Sequence, residues 1–119
     1  MTITNITKGT ILVEKTLISS TFVGRLVGLL GRASLPVGEG IVLIPCRCVH
    51  TFFMRFPIDI LFLDRSFRVI WLAEGVKPFR ITPVVHEACC VAELPSGTIR
   101  DTKTEKGDRL NIEARVHVT

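Results

Sequence analysis

The sequence predicts a mainly β, single-domain fold: an antiparallel β barrel or sandwich with one short helix near residues 20–31. Three patterns carry that expectation. Val, Ile, Leu and Phe come in short runs broken by Gly, Pro and charged residues, as strands separated by turns do. Residues 58–63 and 67–73 are both strand-like and only Asp64, Arg65 and Ser66 separate them, which reads as a hairpin. Near the end of the chain, Leu110, Ile112, Ala114, Val116 and Val118 alternate with Arg109, Asn111, Glu113, Arg115 and His117, giving one core face and one wet face.

In chain order, residues 11–18 read as a first long strand, and Ser19, Ser20 and Thr21 then offer N-caps for the helix. Phe22, Leu26, Leu29 and Leu30 fall at helical spacing and set Arg25 and Arg32 at the borders of the apolar face. Residues 33–40 carry the Pro and paired Gly of a turn-rich loop, and 41–44 follow as a buried strand. After the hairpin, 88–94 make another strand, 95–97 a turn and 98–107 a polar helical turn or loop. The alternating segment closes the domain and places His117 in solvent. There are no internal repeats and no low-complexity segments.

Composition narrows the function classes. A chain of 119 residues with 47% hydrophobic content can bury about two-thirds of its unfolded surface around one core, so 1–119 reads as one domain. No run approaches the ~20 apolar residues of a membrane span. Residues 1–9 show no basic start followed by an apolar core, so a cytoplasmic location is expected. Four cysteines, two of them adjacent as Cys89 and Cys90, read as reduced thiols in a chain able to build its own core. The net charge is +4, and arginine outnumbers lysine ten to five; the planar guanidinium suits carboxylate or phosphate, so an anionic small ligand is permitted. Nucleic acid is not the expected partner, because there is no basic run and the seven Phe and one Trp sit mostly inside apolar segments.

Several motifs in order resemble a known family. They are Arg25 with Gly28-Leu29-Leu30-Gly31-Arg32, Leu35-Pro36, Gly40, Pro45-Cys46, the run His50 to Asp59, Phe62-Leu63-Asp64, Lys77-Pro78, Glu93-Leu94-Pro95-Ser96-Gly97-Thr98 and Gly107-Asp108. From about residue 16 to 112 the chain resembles the domain of unknown function 192 family (uncharacterised protein family 0127). The resemblance implies a small β-rich fold of bacteria and archaea, often behind a signal peptide or membrane anchor, and it implies no agreed activity. The export segment of those relatives is not seen in this chain.

The richest candidate site is the stretch 50–64, where His50, Arg55 and Asp59 interrupt an apolar run. A buried ionisable group must find a partner, since leaving it alone costs several kcal/mol. In an extended 50–54, His50, Phe52 and Met54 would share one face, whereas Asp59 shares its face with Leu61 and Leu63 beyond the Pro57 bend. Asp59 either braces that bend through backbone N–H groups or joins His50, Met54, Arg55 and Glu93 around a pocket. Glu93, a lone charge in an apolar strand, either lines that pocket or pairs with Arg25 or Arg32. Cys46, Cys48 and His50 alternate on one strand face and form a weak metal-ligand set, with His86, Cys89 and Cys90 as further donors. Their ~7 Å spacing argues against one ion and for ordinary buried thiols. Asp59 and Glu93 would serve a hydrolase only within glycosidase separation, and Cys46 with His50 lacks an orienting third group. The expected function is therefore a non-catalytic binding module for a small polar, anionic or sugar-like ligand, using His50, Met54, Arg55, Asp59, Glu93, Arg25 and Arg32. Metal binding through Cys and His, a carboxylate hydrolase and a structural or interaction protein are the alternatives. No cofactor is expected, and oligomeric state stays open.

Overall fold

The computed structural model describes residues 2–19, 35–52, 54–113 and 115–116; the helix expected near 20–31, with Arg25 and Arg32, and the placement of His117 lie outside them. The described residues form two sheets. The smaller has the order β2-β1-β8, from β1 (Ile3–Asn5), β2 (Thr10–Val13) and β8 (Leu110–Ile112), all antiparallel. The larger has the order β6-β5-β7-β4-β3-β9, from β3 (Lys15–Ser19), β4 (Glu39–Leu43), β5 (Ile58–Leu63), β6 (Val69–Val76), β7 (Cys90–Pro95) and β9 (Arg115–Val116). One helix, α1 (Thr98–Thr102), follows β7.

The mainly β expectation holds, and of its two forms the sandwich fits: among the described residues neither sheet closes on itself into a barrel. The larger sheet is mixed, because β3 runs parallel to both β4 and β9. Strands expected as continuous are each divided between the sheets. Residues 11–18 change sheet at Glu14, and the alternating 109–118 segment changes sheet after Ile112, so β2 and β8 belong to the small sheet while β3 and β9 belong to the large one. Period-two alternation survives such a change, which is why it does not reveal it.

All six residues of β5 and all six of β7 are buried, as expected for central strands covered on both faces. Their alternation separates two cores. Between the sheets lie Val42, Leu61, Leu63, Cys90, Ala92 and Leu94 of the large sheet, packed on Ile3, Leu12, Val13 and Leu110 of the small one and on Ile99 of α1. On the far face Ile41, Leu43, Ile58, Ile60, Phe62 and Val91 pack under Leu35, Val49, Met54, Phe56 and Ala88. Each fully buried Leu, Ile or Phe here contributes about 1.5–3 kcal/mol. Phe62 also meets the edge of Trp71 at 5.1 Å between centroids and 79° between planes, a favourable T-shaped pair.

Candidate functional site

Asp59 is completely buried, and three backbone donors explain it. The β5–β6 register slips between Ile58↔Val76 and Ile60↔Ala73, so β6 carries one residue more than β5 there and Gly75 adopts φ 56. Such a bulge removes an N–H from the ladder. Gly75 donates it to Asp59 Oδ1 at 2.8 Å. On the other side, Gly97 caps α1 at φ 97 and has no side chain to satisfy the first turn. Asp59 Oδ2 does so instead, accepting from Gly97 N at 3.1 Å and Ile99 N at 2.9 Å. One carboxylate thus clamps β5, the β6 bulge and the start of α1 together; the N–H groups it accepts belong to these elements and not to the Pro57 bend it was expected to brace.

Glu93 is also completely buried, on the opposite face. In the β5–β7 ladder Asp59 sits across from Leu94 and Ile60 from Glu93, and directly paired residues share a face. Asp59 therefore points to the core between the sheets and Glu93 to the far core that holds Ile60 and Met54. A sheet stands between the two carboxyl groups, so they do not form the acid and base pair of a hydrolase. Pairing of Glu93 with Arg25 or Arg32 lies outside the described residues.

Residues 46–51 do not form a regular strand; they are strapped to 77–89. Cys46 N donates to Cys89 O, Val85 N to Arg47 O, Thr82 N to Val49 O, Thr51 N to Arg80 O and Phe79 N to Thr51 O, at 2.8–3.2 Å. Thr51, 1% exposed, is the hub: its Oγ1 donates to Lys77 O at 2.6 Å and accepts from Arg80 N at 2.9 Å. A turn from Thr51 O to Met54 N breaks the alternation expected for 50–54, so Thr51, Met54 and Phe56 go inward while Phe52 and Arg55 face water. His50 is half-buried, bridges to Ile81, and accepts from Phe52 N through Nδ1 at 3.3 Å. Of the expected site residues, Met54 and Glu93 share a core, His50 lies on the strap, Arg55 lies beyond its closing turn, and Asp59 lies across the sheet.

The thiols are placed separately. Cys46 Sγ donates to Cys48 O at 3.3 Å and Cys48 Sγ to Thr82 O at 3.4 Å. Burial, followed by the nearby Cys89, Cys46 and Asp64, pushes the Cys90 thiol up to about 12. Among the described residues no three His, Cys, Asp or Glu side chains stand close enough to share a metal ion.

A cleft of about 880 Å³ opens where the strap leaves β4 through the cis Ile44–Pro45 bond and meets the β5–β6 turn. Arg47, Arg65 and His86 line it, together with Asp64, Glu87, Cys46 and Cys89. Asp64 Oδ1 accepts from Ser66 N and Arg68 N, which fixes the turn that carries Arg65. The sequence expectation placed a pocket around His50, Met54, Arg55, Asp59 and Glu93. The cleft is lined by residues 45–47, the 64–66 turn and 86–89, and none of His50, Met54, Arg55, Asp59 or Glu93 lines it. Arg47 and Arg65 were not singled out as site residues, and His86 only as a further metal donor, because each sits in a loop or turn whose partner across space no local pattern names.

These features define a class: a small two-sheet β sandwich with an internal carboxylate clamp and a cleft built by loops at one end of the sheet. The chain belongs to the DUF192 family, described as "Uncharacterized ACR", whose model matches residues 3–112. It is 32% identical over 109 residues to a UPF0127 protein of Pyrococcus furiosus, covering 89% of this chain and 93% of that one. To a UPF0127 protein of Pyrococcus horikoshii it is 39% identical over 62 residues, about half of each chain (52% and 53%). A solved protein of unknown function from Novosphingobium aromaticivorans superposes with a TM-score of 0.78 at 21% identity, covering 93% of this chain and 82% of that one. A solved structure from Sinorhizobium meliloti, provisionally described as a transcription regulator, gives 0.75 at 20% identity, covering 92% and 89%. At these identities the two structures establish the fold alone.

Proposed function

We propose that the chain is a non-catalytic binding module for a small polar ligand that carries an anionic group, such as a sugar acid or sugar phosphate, held in the cleft between Arg47 and Arg65. The observation that supports this reading is the pair of guanidinium groups brought to one cleft by separate loops, with no ion pair holding either among the described residues. Arginine forks bind carboxylate and phosphate in bidentate fashion. His86 offers a further donor, and Asp64 and Glu87 accept from ligand hydroxyls, so the lining suits an anion that also bears hydroxyl groups better than a bare one. The strap keeps Arg47 in place, with Thr51 as its anchor, His50 beside that anchor and Arg55 past the turn that follows it. Asp59, Met54 and Glu93 support the sheet beneath the loops.

Thermal-shift measurements with the parent chain against inorganic phosphate, sugar phosphates, sugar acids and neutral sugars test this. A ligand at about 100 times its Kd adds about 2.7 kcal/mol to stability. The expected result is stabilisation by an anionic sugar and little by its neutral counterpart, lost in Arg47→Ala and Arg65→Ala and kept in Arg55→Ala. Equal stabilisation of parent and both cleft variants, or none by any anion, overturns the reading.

A further inference from the structure

The strap leaves an apolar surface uncovered at its outer end, independently of the cleft. Seven large hydrophobic side chains are exposed among the described residues, and four of them lie on the two strapped loops: Phe52 at 39%, Phe79 at 66%, Ile81 at 68% and Val84 at 55%. Three of them, Phe52, Phe79 and Ile81, are linked directly or through His50, and Val84 follows on the same loop. The rings of Phe52 and Phe79 are 6.2 Å apart, His50 stacks 5.0 Å from Phe52, and Ile81 bridges to His50. Phe79 is held at φ 61, a conformation that a bulky residue adopts at a cost, by its N–H to Thr51 O and by the Thr51 contacts on either side. The fold thus spends strain to project an aromatic ring into water.

Charge says what covers this surface. Residues 44–58 and 77–85 contain Arg47, Arg55, Lys77 and Arg80 and no Asp or Glu. Arg55, Lys77 and Arg80 are exposed, and no ion pair among the described residues uses them. Exposed apolar side chains on loops whose only charges are unpaired cations fit an anionic surface with an apolar layer beneath. Shape argues against a protein partner. Phe79, Ile81 and Val84 each expose more than half their area, so they stand out as knobs; they do not line a groove.

We infer that the Phe52, Phe79, Ile81 and Val84 surface docks on an anionic lipid bilayer, with the apolar side chains entering the headgroup boundary and Arg55, Lys77 and Arg80 meeting lipid phosphates or carboxylates. Co-sedimentation of the full chain with vesicles tests this. Phosphatidylcholine vesicles with about one-third phosphatidylserine should bind it, pure phosphatidylcholine should bind far less, and raising salt should release it. The Phe79→Ala/Ile81→Ala pair should weaken binding by about tenfold or more, and Arg80→Glu by a similar factor. Because these side chains are exposed, Trp71 fluorescence and circular dichroism should match the parent. A Phe79→Trp variant gives a second readout, a blue shift of emission on vesicles relative to the parent. Absence of binding to anionic vesicles overturns the proposal. So does binding that the apolar substitutions leave unchanged, or that an acidic peptide or oligonucleotide reproduces with equal affinity, since either marks a surface for polyanions in general.

Discussion

Asp59→Ala should be among the most damaging single substitutions in this chain. The carboxylate accepts from Gly75, Gly97 and Ile99 N–H groups at 2.8–3.1 Å while fully withdrawn from water. A hydrogen bond to a charged acceptor is worth about 1.5–3 kcal/mol, so three bound the loss at about 4.5–9 kcal/mol. Water can reach the Gly75 and Gly97 donors once the side chain is gone, and the variant no longer carries a buried charge; both reduce the loss to about 3–6 kcal/mol. Against the about 5–15 kcal/mol that stabilises a domain, that is a fall in Tm of about 10–25 °C or outright unfolding. Asp59→Asn separates charge from shape. Its single carbonyl can keep Gly97 and Ile99, but its amide then faces the Gly75 N–H, so the expected cost is about 1–3 kcal/mol. Guanidinium titration followed by Trp71, which packs on Phe62 beside the clamp strand, reads both values. Amide exchange should quicken at Gly75, Gly97 and Ile99 before other strand positions. If both variants lie within about 0.5 kcal/mol of the parent, the clamp is not what holds β5, β6 and α1 together. If Asp59→Asn is more stable than the parent, the carboxylate is a strained functional group and not a brace.

Gly40→Ala should destabilise by about 1–3 kcal/mol, measured by the same titration, because an added Cβ would meet Leu94 and Val13 at 3.2 Å and the Glu93 carbonyl at 3.3 Å, and a carbonyl fixed in a ladder has little room to yield. Burial pushes the Asp108 carboxyl up, but hydrogen bonds from Asn5 and from Glu105 N, together with Lys8, outweigh it and hold the group below its ordinary 3.8. Its contribution is therefore complete above about pH 4 and is lost as pH falls through the lower folded value, and Asp108→Asn should lower stability at pH 7 while flattening this acid limb in a pH series of denaturation midpoints. With its thiol pushed up to about 12 and 0% exposed, Cys90 should resist a thiol reagent at pH 8 until the chain unfolds, whereas the partly exposed Cys46, Cys48 and Cys89 react in the native state.

Local pattern and tertiary pairing divided the information unevenly. The hairpin strand 58–63 was legible to the residue, because its apolar run is bounded by Pro57 and by a short polar turn and needs no distant partner to declare itself. The face that Asp59 shares with Leu61 and Leu63 was legible too, since strand alternation fixes it. What Asp59 binds was not. The bulge at Gly75 exists only in the β5–β6 pairing, and the N-terminus of α1 arrives from 38–40 residues away. The strand β1, only three residues long, carried too little periodicity to stand out.

By itself the sequence determined the class, mainly β with two-sided central strands, because hydrophobic period and turn chemistry are local properties of the chain. It also fixed the excess of arginine and the acid-free loops 44–58 and 77–85, because charge is composition. Only the tertiary structure decided that 11–18 and 109–116 each serve two sheets and that Asp59 and Glu93 stand on opposite faces of one. It likewise brought Arg47 to Arg65 at a cleft and put Phe79 into water. Register, bulges and loop contacts arise where distant segments meet, and no window along the chain contains both sides of such a contact.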